Sequence, residues 1–358
     1  MKILYITNGI NGSGGLERVL SIKASMLADQ YSYDVSVLTL NEPNNQSFYD
    51  FSPSIKIVRV NTTRRNSLDY FLSYCRELQK EIYNIQPDII CICDDGLKGF
   101  MLPSLIKTSA KWVYERHASI SLNNANTTKG KISSYLMKRF ANNFDKFVVL
   151  TPSNIKEWRT ANTVAIANPL SFESENHGLV SSNSIIVVGS HSFNKGYDIL
   201  LDIWQNIEKC YPNWELNVYG KVDKEKTFIN LAKKLNLKHI NFFEPTQNIK
   251  DKYLESSILV MTSRSEGFGM VLIEAMACGL PCISFDCPSG PRDIIADNED
   301  GFLIENGNSK LFQQRLEYLM QDATLRKNMG KKGYENVKRF SANHIVATWN
   351  NLFKELMK

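Results

Sequence analysis

The 358-residue chain is 43% hydrophobic and 22% charged, the balance of an ordinary globular protein, and it is longer than one hydrophobic core usually holds. Two domains are therefore expected. The net charge of +5 tolerates an acidic ligand or an anionic membrane surface without requiring either, and no nucleic-acid partner is expected.

The opening MKILYITNGI passes from a short apolar run straight into Gly and polar residues, so it reads as a first buried strand, not a signal peptide. Strand candidates follow at Ile3–Thr7, Val35–Leu40, Ile55–Val60, Asp88–Cys93, Trp112–Glu115 and Phe147–Thr151. A second series runs Ile185–Gly189, Glu215–Tyr219, Ile240–Phe243, Ile258–Thr262 and Pro281–Phe285. Helical patterns such as Leu16–Gln30, Ser67–Ile85, Tyr197–Cys210 and Lys224–Leu235 lie between them. Continuous apolar strands separated by helices imply parallel sheets covered on both faces. The polar, unpatterned stretch Ser171–Ser184 reads as a linker. The expected fold is α/β, with two Rossmann-like parallel-sheet domains at residues 1–170 and 185–340 facing across a cleft. A terminal segment, 341–358, carries Ile345, Val346, Trp349, Leu352, Phe353 and Leu356 at helical spacing, and is expected to return to the N-terminal domain as core. No apolar run reaches the roughly 18 residues needed to span a bilayer. The seven cysteines form no C-x-x-C pair and read as free thiols of a reducing compartment.

Parallel α/β sheets bind ligands at the carboxyl ends of their strands, so the loops there carry the functional signal. The first strand ends in NGINGSGG (8–15), a Gly-rich turn before a helix, where backbone N–H groups and the helix dipole can face a phosphate. The loop can equally be a flexible connection. The dinucleotide fingerprint fails here, because Glu17 stands where the third glycine belongs, which argues against a nicotinamide dehydrogenase. In GSHSFNKGYDILL (189–201), Lys195 sits between a strand and a helix, where an ammonium could neutralise a leaving diphosphate or simply be solvated. His191 reads as a loop residue without a catalytic role. The strongest signal is SRSEGFGMVLIEAMACGLP (263–281). A strand runs into Glu266-Gly267-Phe268-Gly269, and a helix, Met270–Cys278, follows, stopped by Gly279 and Pro281. The N–H groups of Gly269, Met270 and Val271 are open to an anion, and Glu266 and Glu274 can bond sugar hydroxyls.

Together GSGGLERV (12–19), NP (168–169), VGSHSFNKG (188–196) and EGFGMVLIEAMACGLP (266–281) resemble the retaining glycosyltransferases of family 4, a two-domain GT-B architecture. FDCPSGPRDII (285–295) with DGFL (300–303) is similar to the branch that builds bacterial capsule, lipopolysaccharide and related surface glycans. The resemblance implies that Gly14 and Gly15 give backbone contacts to the donor pyrophosphate or sugar. It implies that His117, in YERHAS, lies near the donor sugar; the residues alone show only a loop histidine. Lys195 would bind the donor phosphates, Glu266 the transferred sugar and Glu274 the ribose, with Gly267, Phe268, Gly269, Met270 and Val271 as the turn around the donor. Where the family often has an arginine five residues before this lysine, Ser190 stands here, so Arg264 or Arg292 is expected to substitute, or Lys195 to act with helix N-termini alone.

The chemistry implied is retaining transfer of a hexose or N-acetylhexosamine from a uridine-diphosphate sugar to a glycan or lipid-linked acceptor. The chain has no D-x-D and no His/Cys cluster of zinc spacing, so neither metal nor cofactor is expected. A nucleotide-sugar epimerase or phosphorylase on a similar fold, and a donor-binding homologue without activity, are the competing readings. Lys129–Phe147 mixes Lys129, Lys131, Lys138, Arg139 and Lys146 with Ile132, Leu136, Met137, Phe140 and Phe144. It can be a core helix with a solvated face or a basic amphipathic helix lying on the inner face of the membrane; the location expected is cytoplasmic, with that peripheral contact.

Overall fold

The computed structural model describes residues 1–42, 46–62, 66–94, 96–119, 127–158, 160–175, 178 and 181–358. The chain divides into two compact units, Met1–Ser171 together with Ala342–Lys358, and Phe172–Ser341.

The first unit is built on seven strands: β1 (Lys2–Thr7), β2 (Asp34–Leu40), β3 (Lys56–Val60), β4 (Ile89–Cys93), β5 (Lys111–Arg116), β6 (Lys146–Val149) and β7 (Thr163–Ala165). All pair in parallel in the order β3-β2-β1-β4-β5-β6-β7. Its helices are α1 (Gly15–Tyr31), α2 (Ser67–Ile85), α3 (Leu97–Leu105), α4 (Thr128–Phe140) and α5 (Pro152–Trp158). The terminal helix, Ala342–Leu356 (α13 in chain order), also belongs to this unit and packs beside α1. Because side chains alternate across a strand, even and odd positions feed two separate cores. Leu4, Ile6, Ile90 and Ile92 pack with Tyr74, Leu78 and Ile82 of α2. Ile3, Tyr5, Ile89 and Cys91 pack with Leu20, Ala24 and Leu27 of α1 and with Val346, Trp349 and Phe353 of α13. Burying a side chain such as Phe353 contributes about 1.5–3 kcal/mol, so α13 is a structural part of this face.

The second unit repeats the plan with β8 (Ser184–Val188), β9 (Glu215–Tyr219), β10 (Ile240–Phe243), β11 (Ile258–Met261), β12 (Cys282–Asp286) and β13 (Gly301–Glu305), ordered β10-β9-β8-β11-β12-β13 and parallel throughout. Its helices are α6 (Tyr197–Cys210), α7 (Thr227–Lys234), α8 (Ile249–Leu254), α9 (Met270–Ala277), α10 (Pro291–Ile294), α11 (Ser309–Gln321) and α12 (Ala323–Val337). One face buries Ile185 and Val187 under Leu200, Trp204, Phe312 and Leu316 of α6 and α11. α9 is buried from Leu272 through Ala277. The described part of 171–184 packs on this unit: Phe172 lies against Tyr253, Gly178 N–H donates to Cys278 O at 2.6 Å, and Ser182 Oγ lies 3.0 Å from Ser257 Oγ.

Both sheets are thus doubly wound, as the sequence pattern implies. Two edge strands, β7 and β13, escape it. The helix expected from Lys129 onward ends at Phe140; Ala141–Asn143 form a 3-10 turn, and Phe144 and Phe147 are buried in the core from the turn and from β6. All seven cysteines are free thiols, and five of them are buried. Among the described residues, no helix is long and apolar enough to cross a membrane.

Candidate active site

In the second unit the strand order reverses between β8 and β11, so the loops leaving these strands diverge around a crevice at the sheet's carboxyl edge. The two loops are fastened to each other. Arg264 N–H donates to Asn194 O at 2.7 Å, Asn194 Nδ2 donates to Ser265 O at 2.8 Å, and Thr262 Oγ1 donates to Lys195 O at 3.1 Å. This stitching brings together two residues 71 apart in sequence: Lys195 Nζ donates to Glu266 Oε1 at 2.6 Å. Both side chains are mostly covered, at 23% and 12% exposure, yet reach solvent.

Glu266 leads directly into α9. Gly269 caps the helix at φ +101°, a conformation that disfavours any side chain, and Leu272 N–H is the first to turn back, donating to Gly269 O at 2.9 Å. The N–H groups ahead of it, at Gly269, Met270 and Val271, are those a helix start leaves for an anion. Gly267 and Phe268 are buried, and the Phe268 ring sits edge-on against Phe340, so Phe268 offers a ligand only its backbone. Glu274 lies deeper, at 2% exposure, where its Oε2 accepts from Tyr253 Oη of α8 at 3.0 Å.

Both arginines offered as a second cation are engaged by carboxylates. Arg264 makes a two-pronged pair with Asp198, at 2.8 and 2.6 Å, and stacks on Phe193. Arg292 pairs in the same way with Asp286, at 2.8 and 2.7 Å. Each carboxylate pushes its guanidinium further up, and Arg264 draws the Asp198 carboxyl down. His191 lies in the loop after β8, as expected, and is buried there. It is ringed by Tyr197, Phe228 and Phe242, neither ring nitrogen has a hydrogen-bond partner among the described residues, and burial lowers its pKa. A separate cavity of about 1000 Å³ between Arg292–Ala296 and α12 contains none of Lys195, Glu266 and Glu274.

The first unit reverses its strand order between β1 and β4, and the Gly-rich loop 8–15 leaves β1 there. Gly14 and Gly15 are exposed at the start of α1, as the motif implies. The loop is already furnished with carboxylates, however. Glu42 Oε1 accepts from Ile10 N–H at 2.6 Å and Asn11 N–H at 2.9 Å. Glu17 folds back so far that a Cβ on Gly12 would collide with its carboxylate. Burial, with Glu42 adding, pushes the Glu17 carboxyl up against the opposing pull of its own backbone N–H and His117.

His117 follows β5, its side chain 8% exposed, with Nε2 3.4 Å from Glu115 Oε2. Glu115 is itself paired with Lys23 of α1, and both side chains are 1% exposed. Cys93 Sγ, Glu115 and His117 place ligand atoms within 4.8 Å of one another, a cluster that only the β4–β5 pairing creates. The Lys23 ammonium on Glu115 and the buried Cys93 thiol, pushed well up by burial and Glu115, do not fit a metal site. The sequence reading missed the Lys23–Glu115 pair, although Lys23 falls on the same helical stripe as Leu20 and Leu27.

Two doubly wound sheets, the second with a lysine–carboxylate pair and a helix start at its point of strand reversal, define the two-domain Rossmann-like class of the GT-B transferases. Residues 172–336 match the family model described as glycosyl transferases group 1. An uncharacterized glycosyltransferase of Haemophilus influenzae is 30% identical over 98% of this chain and 99% of its own length. An alpha-1,4-N-acetyl-D-galactosaminyltransferase of Campylobacter jejuni, named for an undecaprenol-PP-linked glycan, is 24% identical over 99% of each chain. A mutant of Staphylococcus aureus TarM, solved with fondaparinux, alpha-GlcNAc-glycerol and UDP, has a like fold, with a TM-score of 0.82 at 16% identity over 98% of this chain and 99% of that one. The chain belongs to the group 1 glycosyltransferases.

Proposed function

We propose that the protein transfers a hexose or N-acetylhexosamine, with retention and without a metal, from a UDP-sugar to a glycan or lipid-linked acceptor in surface polysaccharide synthesis. The observation that carries this reading is the Lys195–Glu266 pair beside the N-terminus of α9. Breaking the bond from the anomeric carbon to the diphosphate leaves negative charge on phosphate oxygens. An ammonium and N–H groups fixed in place stabilise that charge where it develops. In this reading Lys195 faces the leaving diphosphate, and Glu266, released from Lys195, accepts hydroxyls of the transferred sugar. Glu274, held by Tyr253, takes the ribose. The acceptor oxygen bonds to the anomeric carbon on the face the diphosphate leaves, and its proton passes to the departing phosphate oxygen. No enzymic nucleophile is required.

The first unit takes the acceptor. The carboxylates of Glu17, against Gly12 and Gly14, and of Glu42, against Gly9, Ile10 and Asn11, suit sugar hydroxyls and repel a diphosphate, so in this reading Gly14 and Gly15 meet the sugar end of the donor. The UDP bound to TarM and the N-acetylhexosamine named for the Campylobacter relative support the donor class; the undecaprenol-PP glycan supports a lipid-linked acceptor. Exposed Lys129, Lys131, Ile132, Tyr135, Lys138 and Arg139 on α4 support a peripheral contact with an anionic inner membrane face, and a cytoplasmic location.

Thermal unfolding with uridine and guanosine diphosphates tests the donor base, since a ligand of the native state raises the midpoint. A rise with the uridine nucleotide is expected; a clear preference for guanosine would refute that assignment. Release of free diphosphate nucleotide dependent on added acceptor separates transfer from epimerisation.

A further inference from the structure

At the edge where the first unit reverses its strand order, a second group of polar side chains stands beside the Gly-rich loop, and the chemistry above gives it no task. Asn8 follows β1, Asp94 follows β4, and Lys98 lies in the first turn of α3. Lys98 Nζ donates to Asn8 Oδ1 at 2.5 Å and to Tyr70 Oη of α2 at 3.2 Å, and lies 3.6 Å from Asp94 Oδ2. The same ammonium is 5.6 and 5.1 Å from the ring centres of Tyr70 and Tyr74, whose planes are 4° from parallel.

Asp94 is 3% exposed and held in place: Oδ1 accepts from Gly96 N–H at 2.6 Å, and its backbone carbonyl accepts from Tyr114 Oη. Its Oδ2 has no hydrogen-bond partner among the described residues, since the Lys98 ammonium stands too far off to make one. Tyr74 Oη, fully buried, has none either; burial, with the Asp94 charge adding, pushes its pKa well up, so it stays a hydroxyl. A carboxylate oxygen and a hydroxyl left unbonded in an interior cost stability, and folded proteins keep few of them. The group is within reach from outside, because the Lys98 side chain is 21% exposed, Tyr70 is half-buried and Asn8 is exposed.

We propose that Asn8, Asp94 and Lys98 seat a neutral sugar of the acceptor, with Asp94 Oδ2 accepting from one hydroxyl, Lys98 and Asn8 bonding others, and the Tyr70 ring alongside. This rests on the reading that the first unit takes the acceptor. A sugar hydroxyl both gives and takes a hydrogen bond, and a carboxylate, an ammonium and an amide together serve both needs. An anion fits poorly. Lys98 is already paired with Asp94, and Glu42 adds a second carboxylate against Gly9, next to Asn8. Among the described residues this group is therefore net negative, which favours a hexose or N-acetylhexosamine over a uronic acid or a phosphorylated sugar.

The test uses the full chain with carbon-13 in its tyrosine rings, the Tyr70 signals being assigned by their loss in Tyr70→Phe, and needs no turnover. The probes are the methyl α-glycosides of N-acetylgalactosamine, N-acetylglucosamine, galactose and glucose, with methyl α-galacturonide as the anion. At least one neutral glycoside should shift the Tyr70 signals to saturation, and the galacturonide should bind about tenfold or more weakly than the tightest of the four. Asp94→Asn, which removes the charge and keeps the shape, should weaken that neutral glycoside about tenfold or more, the cost of losing a hydrogen bond to a charged group, and should narrow its lead over the galacturonide. Lys98→Met gives a second reading if Asp94→Asn does not fold, and should weaken binding about threefold or more. Tyr70 signals that no neutral glycoside moves at about 100 mM, ample for millimolar affinity, overturn the proposal. So does a galacturonide that binds as tightly as the best neutral glycoside, or a folded variant that binds like wild type. Sugar transfer is measured separately: wild type that binds the glycoside at Tyr70 yet transfers to no acceptor refutes the transferase reading and leaves this site standing, and wild type that transfers while Tyr70 stays unmoved refutes the site alone.

Discussion

Lys195→Ala is the most informative perturbation of the candidate site, because it removes a charge from two partners at once. The ammonium pairs with Glu266 at 2.6 Å, and in the proposed reaction it must also meet the diphosphate. Loss of a preorganised group facing developing charge typically costs about 100- to 1,000-fold in kcat, or about 2.7–4 kcal/mol. A second penalty follows from Glu266. Left alone at 12% exposure, its carboxylate confronts the incoming diphosphate. Two like charges about 4 Å apart repel by about 4 kcal/mol at an effective dielectric of about 20, and the solvent that reaches both side chains leaves only part of that. Adding Glu266→Gln to Lys195→Ala should therefore tighten donor binding by about tenfold, close to 1.4 kcal/mol. The same Glu266→Gln change in the wild-type background should weaken binding or turnover. Calorimetry of the uridine nucleotide on all four proteins, with kcat at saturating acceptor and folding checked by unfolding midpoint, completes the cycle. A double variant that binds donor no better than Lys195→Ala would show that the diphosphate does not lie between these two groups.

Gly290→Ala is expected to lower stability by about 1–3 kcal/mol and to weaken donor binding, because φ is +99° there and a Cβ would overlap Phe268 O in the turn that starts α9; an unchanged denaturation midpoint would contradict this. Burial lowers the pKa of His191 from its ordinary 6.5, against the opposing pull of Asp223 and Glu244, so the folded state favours the neutral ring. Stability from this group is thus present above about pH 6.5 and is lost as pH falls through the folded pKa; His191→Phe should flatten that acid limb in denaturant melts at stepped pH. Turnover should persist in excess chelator if, as proposed, Lys195 and the α9 N–H groups supply the positive charge; activity abolished by chelation and restored by magnesium or manganese would refute the metal-free reading.

What the sequence disclosed depended on how local the determining contacts are. Ile89–Cys93 was legible as a strand because both faces are covered, which makes the run apolar without alternation. The turn at 266–269 was legible because strand, glycines and helix follow one another directly. β7 has only three residues, and β13, an edge strand that begins with Gly301, offers just three consecutive apolar residues, Phe302–Ile304, too few to set a period. The periodicity that extended a helix from Lys129 to Phe147 was misleading, since Phe144 and Phe147 are buried from a turn and a strand, not from a helical face. Arg292 could have been matched to Asp286, six residues earlier, but Arg264 meets Asp198 only through the pairing of β8 with β11. Lys23 and Glu115 are 92 residues apart, and nothing short of the β1–β4–β5 registers brings α1 over the middle of β5.

The placement of α13 bears on the order in which the protein can be made. Residues 342–358 leave the ribosome only after the whole of 172–341, yet Val346, Trp349 and Phe353 close one face of the sheet formed by the first residues of the chain. Until then Ile3, Tyr5, Leu20 and Leu27 lack part of their cover, and the Lys23 ammonium lacks the Trp349 ring above it. The second unit, contiguous in sequence, can complete its core while the first still waits. During synthesis the first unit therefore presents an unfinished apolar face for the time needed to translate an entire domain, on the surface α13 later occupies.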